Sequence, residues 1–364
     1  MNSANLIVQT AFLGDLLLSI PLLKNVRKLW PEQQLLLVCR KGFGEYFVKL
    51  GLIDKAIEIK KGDNESYKQA LRELQEFQIQ HVISPHQSLR TSLFVARIHA
   101  QQKVSFKNFH NFLMYSTRVK RQLDLPDAIR QLSLLQPFSD SLTREIQSYQ
   151  KLNEGNARSD SGYLSNPPQW ASMSVREHLL FAQEPQELLE RLFITKPNLK
   201  KTVAIFPGSV WATKRWTTEG FKAVAKDLLN ENFNVLVMGG PGEEELCAEV
   251  ASADSRIQNI CGKTKVLESA QILAHCYLAL GNDSASMHLA ASVDLPIVSI
   301  FGPTVLDLGY RPWGKQVQVI ERADLKCRPC GKHGHHKCPL GTHECMKSIS
   351  PQTVVAAIHH HSSV

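Results

Sequence analysis

Leu6-Ile7-Val8-Gln9-Thr10-Ala11-Phe12-Leu13-Gly14-Asp15-Leu16-Leu17-Leu18-Ser19-Ile20-Pro21-Leu22-Leu23 stands near the start of the chain, and its reading decides the fold. Leu6–Val8 is a short apolar run, and Gly14-Asp15 supplies a turn. From there Leu16, Leu17, Ile20, Leu23 and Val26 recur at helical spacing, up to a stop before Pro31. A second apolar run, Leu35–Cys39, follows at once. Strand, turn, amphipathic helix and strand make a βαβ unit, which predicts a parallel sheet. A bilayer span is a poor reading of the same residues, because Gln9, Gly14, Asp15 and Pro21 interrupt it. A signal peptide fits no better, since no Lys or Arg precedes Lys24. The chain is therefore expected in the cytoplasm, where its eight cysteines read as thiols or metal ligands.

Outward from this unit the alternation continues. A strand is expected at His81–Ser84, with helices over Ser66–Phe77 and Leu89–His99. From Ser139 to Trp170 the texture turns to Ser, Asn, Gln, Pro and Gly, which reads as a linker or surface insertion. A helical stretch at Val175–Phe193 leads into a second βα series. Its strands are expected at Val203–Phe206, Asn234–Met238, Tyr277–Leu280 and Ile297–Phe301. Its helices are expected at Glu219–Leu229, Glu243–Ala251, Val266–His275 and from Ser286, with a terminal helix opened by Ser350-Pro351. At 364 residues the chain has room for two doubly wound lobes. The division reads as an N-terminal lobe over residues 1–160 (139–170 being the polar segment) and a C-terminal lobe over 171–348. A helix and tail over 349–364 follow, and a cleft is expected between the lobes.

The formal charge is +8, and its placement says more than its size. From Phe77 to Leu123 there is no Asp or Glu, while Arg90, Arg97, Lys103, Lys107, Arg118, Lys120 and Arg121 all fall there. A solvated face is the plain reading of any one of these residues. A whole acid-free stretch points to a polyanionic partner such as phosphate-bearing lipid, a membrane surface or nucleic acid.

The chemistry is concentrated at strand ends of the second series. Pro207-Gly208-Ser209 with Lys214-Arg215-Trp216 offers a phosphate backbone N–H groups and positive charge; a plain βα turn with surface cations is the equal alternative. At Met238-Gly239-Gly240-Pro241-Gly242-Glu243, Glu243 is a candidate for ribose hydroxyls, and Glu244 and Glu245 suit a helix N-terminus. Gly281-Asn282-Asp283-Ser284-Ala285-Ser286-Met287-His288 runs from a strand end into a helix, where Asp283 and Ser284 are either ligand groups or N-caps. Gly302-Pro303-Thr304 closes the next strand. Four polar strand ends on one predicted carboxyl edge describe a ligand crevice.

Taken in order, Gly14-Asp15, Trp30-Pro31, Pro207-Gly208-Ser209, Lys214-x-Trp216, Gly239-Gly240…Glu243, Gly262-Lys263-Thr264, Asp283-Ser284-x3-His288 and Phe301-Gly302-Pro303-Thr304 resemble glycosyltransferase family 9. That family comprises the ADP-heptose:lipopolysaccharide heptosyltransferases. The resemblance runs from Leu6 to about Val355. It implies an α/β fold of GT-B type with two Rossmann-like lobes and an inverting mechanism without metal. It also implies an ADP-sugar donor on the C-terminal lobe and an anionic lipopolysaccharide-core acceptor, with peripheral contact at the inner membrane. On this resemblance Asp15 is the general base and Lys214 neutralises the diphosphate. Ser209, Arg215, Asp283, Ser284, His288 and Gly302 surround the phosphates and sugar, with Glu243 near the ribose and Thr264 near the adenine. Arg90 and Arg118 are the candidates for the acceptor. His86 before Gln87, and the length of Ser139–Trp170, depart from the family's pattern. Transfer needs a base for the acceptor proton and positive groups for the departing diphosphate. The Asp-x-Asp pair of many metal-dependent glycosyltransferases does not occur in this chain, and no cofactor is expected.

Cys327-x2-Cys330-x7-Cys338-x6-Cys345, interleaved with His333, His335, His336 and His343, has the makings of a metal site. Its second pair is too widely spaced for paired CxxC knuckles. A structural zinc on the four cysteines is one reading; reduced thiols in a folded loop is the favoured one. Cys39, Cys247, Cys261 and Cys276 read as small core residues. Two rival functions are a nucleotide-sugar epimerase or hydrolase of the same architecture and a basic nucleic-acid-binding protein. The second is disfavoured because no RNP-like aromatic motif accompanies the basic stretch.

Overall fold

The structure, a computed structural model, describes residues 2–153, 167–193 and 195–361. These divide into two compact units. One holds residues 2–153 with Pro168–Met173; the other runs from Ser174 onward. The first unit contains β1 (Asn2–Val8), β2 (Gln34–Arg40), β3 (Lys55–Ile59), β4 (Phe77–Ser84), β5 (Gln102–Phe106) and β6 (Thr117–Val119). The second contains β7 (Thr202–Phe206), β8 (Asn234–Val237), β9 (Gln258–Asn259), β10 (Leu278–Asn282), β11 (Ile297–Phe301) and β12 (Val317–Glu321).

All pairings are parallel, in the orders β3-β2-β1-β4-β5-β6 and β12-β11-β10-β7-β8-β9. Counted from its own first strand, each sheet has the same Rossmann-type order, 3-2-1-4-5-6. The order reverses direction between β1 and β4 in one sheet and between β7 and β10 in the other. Such switch points open a crevice at the carboxyl ends of the strands.

The cores explain why these runs became strands. Leu6, Val8, Leu36, Val38 and Val82 are buried under Leu74, Phe94 and Val95 from helices. Val203, Ile205, Val235, Val237, Leu278, Leu280, Val298 and Ile300 form the second core. Parallel strands covered on both faces need continuous apolar runs, and these have them. Thr217 caps the helix Thr218–Asn230 by accepting from Gly220 N at 3.1 Å. Ser350 caps Pro351–His360, whose Val354, Ala357 and Ile358 lie in the second core. The terminal helix is thus built into the second unit.

Several local expectations are corrected. The opening helix is two pieces, Leu13–Leu17 and Ile20–Leu29, with Pro21 in the first turn of the second. Val175–Phe193 holds only a single turn, Leu179–Phe181, and the helix Gln186–Leu192, which starts after Pro185. Of the supposed linker 139–170, Asp140–Asn153 is an α-helix of 14 residues. Three apolar residues suffice there, because Leu142, Ile146 and Tyr149 recur at helical spacing and are buried. Positions 154–166 of that segment lie outside the described residues. Pro168–Met173 returns to the first unit, where Asn25 Nδ2 donates to the Trp170 carbonyl at 2.8 Å, so the second unit begins at Ser174 rather than 171. No described helix is long and apolar enough to cross a membrane.

Candidate functional site

In the first unit the β1/β4 switch point gathers charged and polar side chains. Asp15 sits in the short helix Leu13–Leu17 just beyond β1, and His86 lies just beyond β4. The N-cap of that helix is Phe12, so Asp15 is not a cap. Its main-chain carbonyl accepts from Ser19 Oγ at 3.0 Å and Gln131 Nε2 at 3.1 Å, which fixes the backbone beneath the carboxyl. Burial pushes the Asp15 carboxyl up to about 6, and the Asp127 carboxylate adds to the rise. Backbone hydrogen bonds at Phe12 and Asp15 and the Arg121 charge oppose it. A helix N-terminus would lower this pKa; here desolvation wins. The result is a carboxylate ionised at neutral pH yet more basic than an ordinary aspartate, which suits a general base.

Around it the edge is cationic. Arg40, at the end of β2, donates from Nε to the Thr10 carbonyl at 2.9 Å and lies over the Phe12 ring at 4.3 Å. Lys61, beyond β3, shares the field of Asp15, Arg40 and Arg90. Arg121 bridges Gln87 Oε1 at 3.0 Å and Asp127 Oδ1 at 2.7 Å. His86 Nδ1 lies 2.8 Å from both Thr10 Oγ1 and Thr91 Oγ1. Burial first, then the Lys61 and Arg40 charges, bring its ring down to about 4, so it is neutral at pH 7. Of the two predicted acceptor cations, Arg90 is exposed at the start of the helix Leu89–Ala96, within reach of this field. Arg118 is half-buried on the edge strand β6 and is not among the charges that act on Asp15. Arg40 and Lys61 were not singled out in the sequence: a cation one residue past an apolar run looks like any strand end.

In the second unit the β7/β10 switch point carries the other set. Lys214 Nζ lies 2.5 Å from Asp283 Oδ2, and Thr304 Oγ1 donates to the same oxygen at 2.6 Å. Asp283 is therefore the group that aims Lys214. Asn282, buried at the end of β10, accepts from Trp216 N at 2.8 Å and donates to the Pro207 carbonyl at 2.8 Å, locking the two strand ends together. Ser284 is the N-cap of the helix Ala285–Ser292 by position, but its side chain makes no capping bond. Its buried Oγ has no hydrogen-bond partner among the described residues. A buried hydroxyl left in this state at a helix N-terminus is what an anionic ligand would satisfy. His288 is buried one turn further along.

Ser209 is buried, and its carbonyl accepts from Arg215 Nε at 2.8 Å, so that N–H closes the loop rather than facing solvent. Glu243 Oε2 accepts from Gly240 N at 2.9 Å, and a Cβ on Gly208 would fall 2.0 Å from Glu243 Oε1. The Glu243 carboxyl thus lies against Gly208 at the β7/β8 edge, and any side chain there would displace it. Glu244 and Glu245 occupy the first turn of the helix Glu244–Ala251. Thr264 Oγ1 lies 2.7 Å from Ser269 Oγ. A Cβ on Gly302 would meet Met346, and the Gly302 carbonyl takes a bond from Arg328 Nε; Thr304 is the member of that motif that bonds Asp283.

The Cys/His segment adjoins this site. Thr213 N and Oγ1 donate to the His335 carbonyl at 3.1 and 2.7 Å, and His335 N lies 2.8 Å from the same Thr213 Oγ1. His343 Nε2 lies 2.8 Å from the Thr213 carbonyl, and Cys330 N donates to the Pro303 carbonyl at 2.8 Å. Trp211 stacks on His333 at 6.2 Å. Arg328, also missed in the sequence, is a buried guanidinium spanning the Thr304 carbonyl, the Arg322 carbonyl and Glu321. Among the described residues no group of three or more His, Cys, Asp or Glu is arranged to hold a metal ion. Cys327, Cys330, Cys338 and Cys345 lie close enough that Cys345 feels the charges of the other three and Cys330 those of Cys327 and Cys338, and the turns that carry them hydrogen-bond to the Thr213 and Pro303 loops. None of the eight cysteines is in a disulfide, and Cys39, Cys247, Cys261 and Cys276 are buried.

The model of glycosyltransferase family 9 (heptosyltransferase) matches residues 67–340. Lipooligosaccharide heptosyltransferase 2 of Campylobacter jejuni serotype O:6 is 32% identical over 193 residues, covering 51% of this chain and 60% of that protein. Lipopolysaccharide heptosyltransferase 2 of Salmonella typhimurium is 28% identical over 168 residues, 43% of this chain and 45% of that protein. The matched stretch thus spans at most three fifths of these relatives. Among solved structures, Escherichia coli ADP-heptose lps heptosyltransferase II superposes with a TM-score of 0.75 at 17% identity, covering 98% of each chain. At that identity the likeness is one of fold, and the fold is of GT-B type.

Proposed function

The chain belongs to glycosyltransferase family 9, and on that premise we propose that it transfers a heptose, or a closely related sugar, from an ADP-sugar to the inner core of a lipopolysaccharide. The observation that carries the reading is Asp15, with its carboxyl raised to about 6 on a cationic sheet edge. In this reading an acceptor hydroxyl attacks the anomeric carbon as the bond from that carbon to the diphosphate oxygen breaks. The proton passes to Asp15, the configuration inverts, and ADP departs with its charge neutralised by Lys214. Arg40, Lys61, Arg90 and Arg121 attract the phosphates of the acceptor. Ser209, Ser284, His288 and the N-terminus of Ala285–Ser292 hold the donor diphosphate, with Glu243 toward the ribose and Thr264 toward the adenine. No divalent metal is required, since Lys214 and the helix N-terminus supply the positive field. The same reading has the enzyme work in the cytoplasm at the inner face of the inner membrane.

The test is incubation with ADP-heptose and a truncated core acceptor, followed by mass spectrometry. Gain of one heptose on the acceptor with stoichiometric ADP supports transfer. ADP-heptose consumed at the same rate without acceptor would instead establish an epimerase or hydrolase.

A further inference from the structure

The loop between β5 and β6 displays a set of apolar side chains that the chemistry above does not use. Phe109 is 96% exposed, Leu113 84% and Phe112 59%. Isolated apolar residues on a surface need no explanation, but clustered ones do. These have neighbours. The turn Phe109–Asn111 lies against the helix Leu89–Ala96, where Leu89 and Leu93, one helical turn apart, are 50% and 48% exposed.

The loop is built to present them. Asn111 is fully buried; its Nδ2 donates to the Phe106 carbonyl at 2.9 Å, and its Oδ1 accepts from Asn108 N at 3.1 Å. His110 Nε2 lies 3.1 Å from the Gln87 carbonyl, just ahead of the helix that carries Leu89 and Leu93. Tyr115 is buried in the first core, with Met114 packed against it. His110 and Asn111 are therefore turned inward while Phe109, Phe112 and Leu113 face solvent, the inverse of an ordinary surface loop.

Charge identifies the occupant. The patch lies wholly within the acid-free stretch, flanked by exposed Arg90, Arg97, Lys107 and Lys120. Exposed Phe and Leu ringed by cations with no acid suit the interface of an anionic bilayer, where the apolar residues enter the acyl boundary and the cations meet headgroup phosphates. A protein partner would ordinarily be met by charges of both signs. The loop also follows the carboxyl end of β5, the edge of the sheet that carries Asp15.

We propose that Phe109, Phe112 and Leu113, with Leu89 and Leu93, form a docking surface that inserts into an anionic membrane and turns the Asp15 edge toward it. The proposal deepens the reading of a lipid-borne acceptor, but its vesicle-binding test needs neither donor nor acceptor, so the two fail separately. Full-length protein is sedimented with vesicles of phosphatidylethanolamine and phosphatidylglycerol, and with vesicles of phosphatidylcholine alone. Binding to the anionic vesicles only, weakened by salt and reduced at least tenfold in the double variant Phe109→Ser, Leu113→Ser, supports the proposal. The melting temperature of that variant should match the parent, so that lost sedimentation is not lost folding. The proposal is overturned if the parent stays in the supernatant or if the variant sediments as the parent does. It is also overturned if the parent alone is a dimer in sedimentation velocity that the variant dissolves, which would make the patch a self-contact.

Discussion

The ammonium of Lys214 and the carboxylate of Asp283 stand 2.5 Å apart, 69 residues distant in sequence, and both side chains are largely shielded from solvent. On the proposed function Asp283 acts on the donor through Lys214, since a carboxylate placed directly against a diphosphate would repel it. Lys214→Ala is expected to lower kcat/KM by roughly a hundredfold to a thousandfold. Asp283→Asn should cost less, and adding it to Lys214→Ala should cost almost nothing further, because the two act as one unit. A double variant whose losses multiply would assign Asp283 its own contact with the donor.

Asp15 sets a pH dependence with a definite sign. A base must be ionised, so kcat/KM should rise with pH through an apparent pKa of about 6 and then level off. In Asp15→Asn, kcat should fall about a hundredfold or more and the acid limb should disappear. Stability moves the other way. The folded carboxyl titrates near 6 against 3.8 for the free group, so the folded state binds more protons than the unfolded chain between those values. The ionised carboxylate therefore costs stability increasingly as pH rises from about 4 to above 6. Asp15→Asn should melt no lower than the parent at pH 7.5, and the difference between them should shrink toward pH 4. A variant that is both active and less stable would return Asp15 to a structural role.

The cations of the first unit should divide by position. Arg40→Gln or Lys61→Gln is expected to raise the acceptor KM at least fivefold, most strongly at low salt, with ADP affinity unchanged by calorimetry. Arg90→Glu should act in the same direction. Arg118→Glu, on the edge strand away from Asp15, should act least. Equal effects at Arg118 and Lys61 would mean that the acceptor reads net charge rather than this edge.

Metal dependence is checked directly. Turnover should survive excess EDTA after dialysis, because Lys214 carries the charge of the leaving group. Loss that magnesium or manganese restores would overturn this.

Much of this architecture was readable from apolar runs, and what escaped did so for physical reasons. Val203–Phe206 and Leu35–Cys39 announce themselves because strands covered on both faces are apolar throughout. The edge strands β3, β6 and β9 are short and mixed, since only one neighbour and part of a face need be satisfied. At the candidate site, Asp15, Lys214 and Asp283 stand in local motifs that the sequence displays, whereas the pairing of the last two appears only in the fold. Arg40, Lys61, Thr304 and Arg328 owe their roles to chain segments that meet only in the folded sheet. The Cys/His spacing did not reveal that the same turns hydrogen-bond to the Thr213 and Pro303 loops, because those partners lie more than a hundred residues away or on another strand end.

The bonds between Thr213 and both His335 and His343 carry a consequence for engineering. The stretch from Cys327 to Cys345 forms one wall of the Lys214 loop, so it cannot be shortened as a decorative excursion. In a recombined enzyme assembled from two relatives, a crossover placed between Lys214 and Cys327 would pair one parent's loop with the other parent's buttress. A crossover upstream of Thr202 would let both halves of that joint travel together.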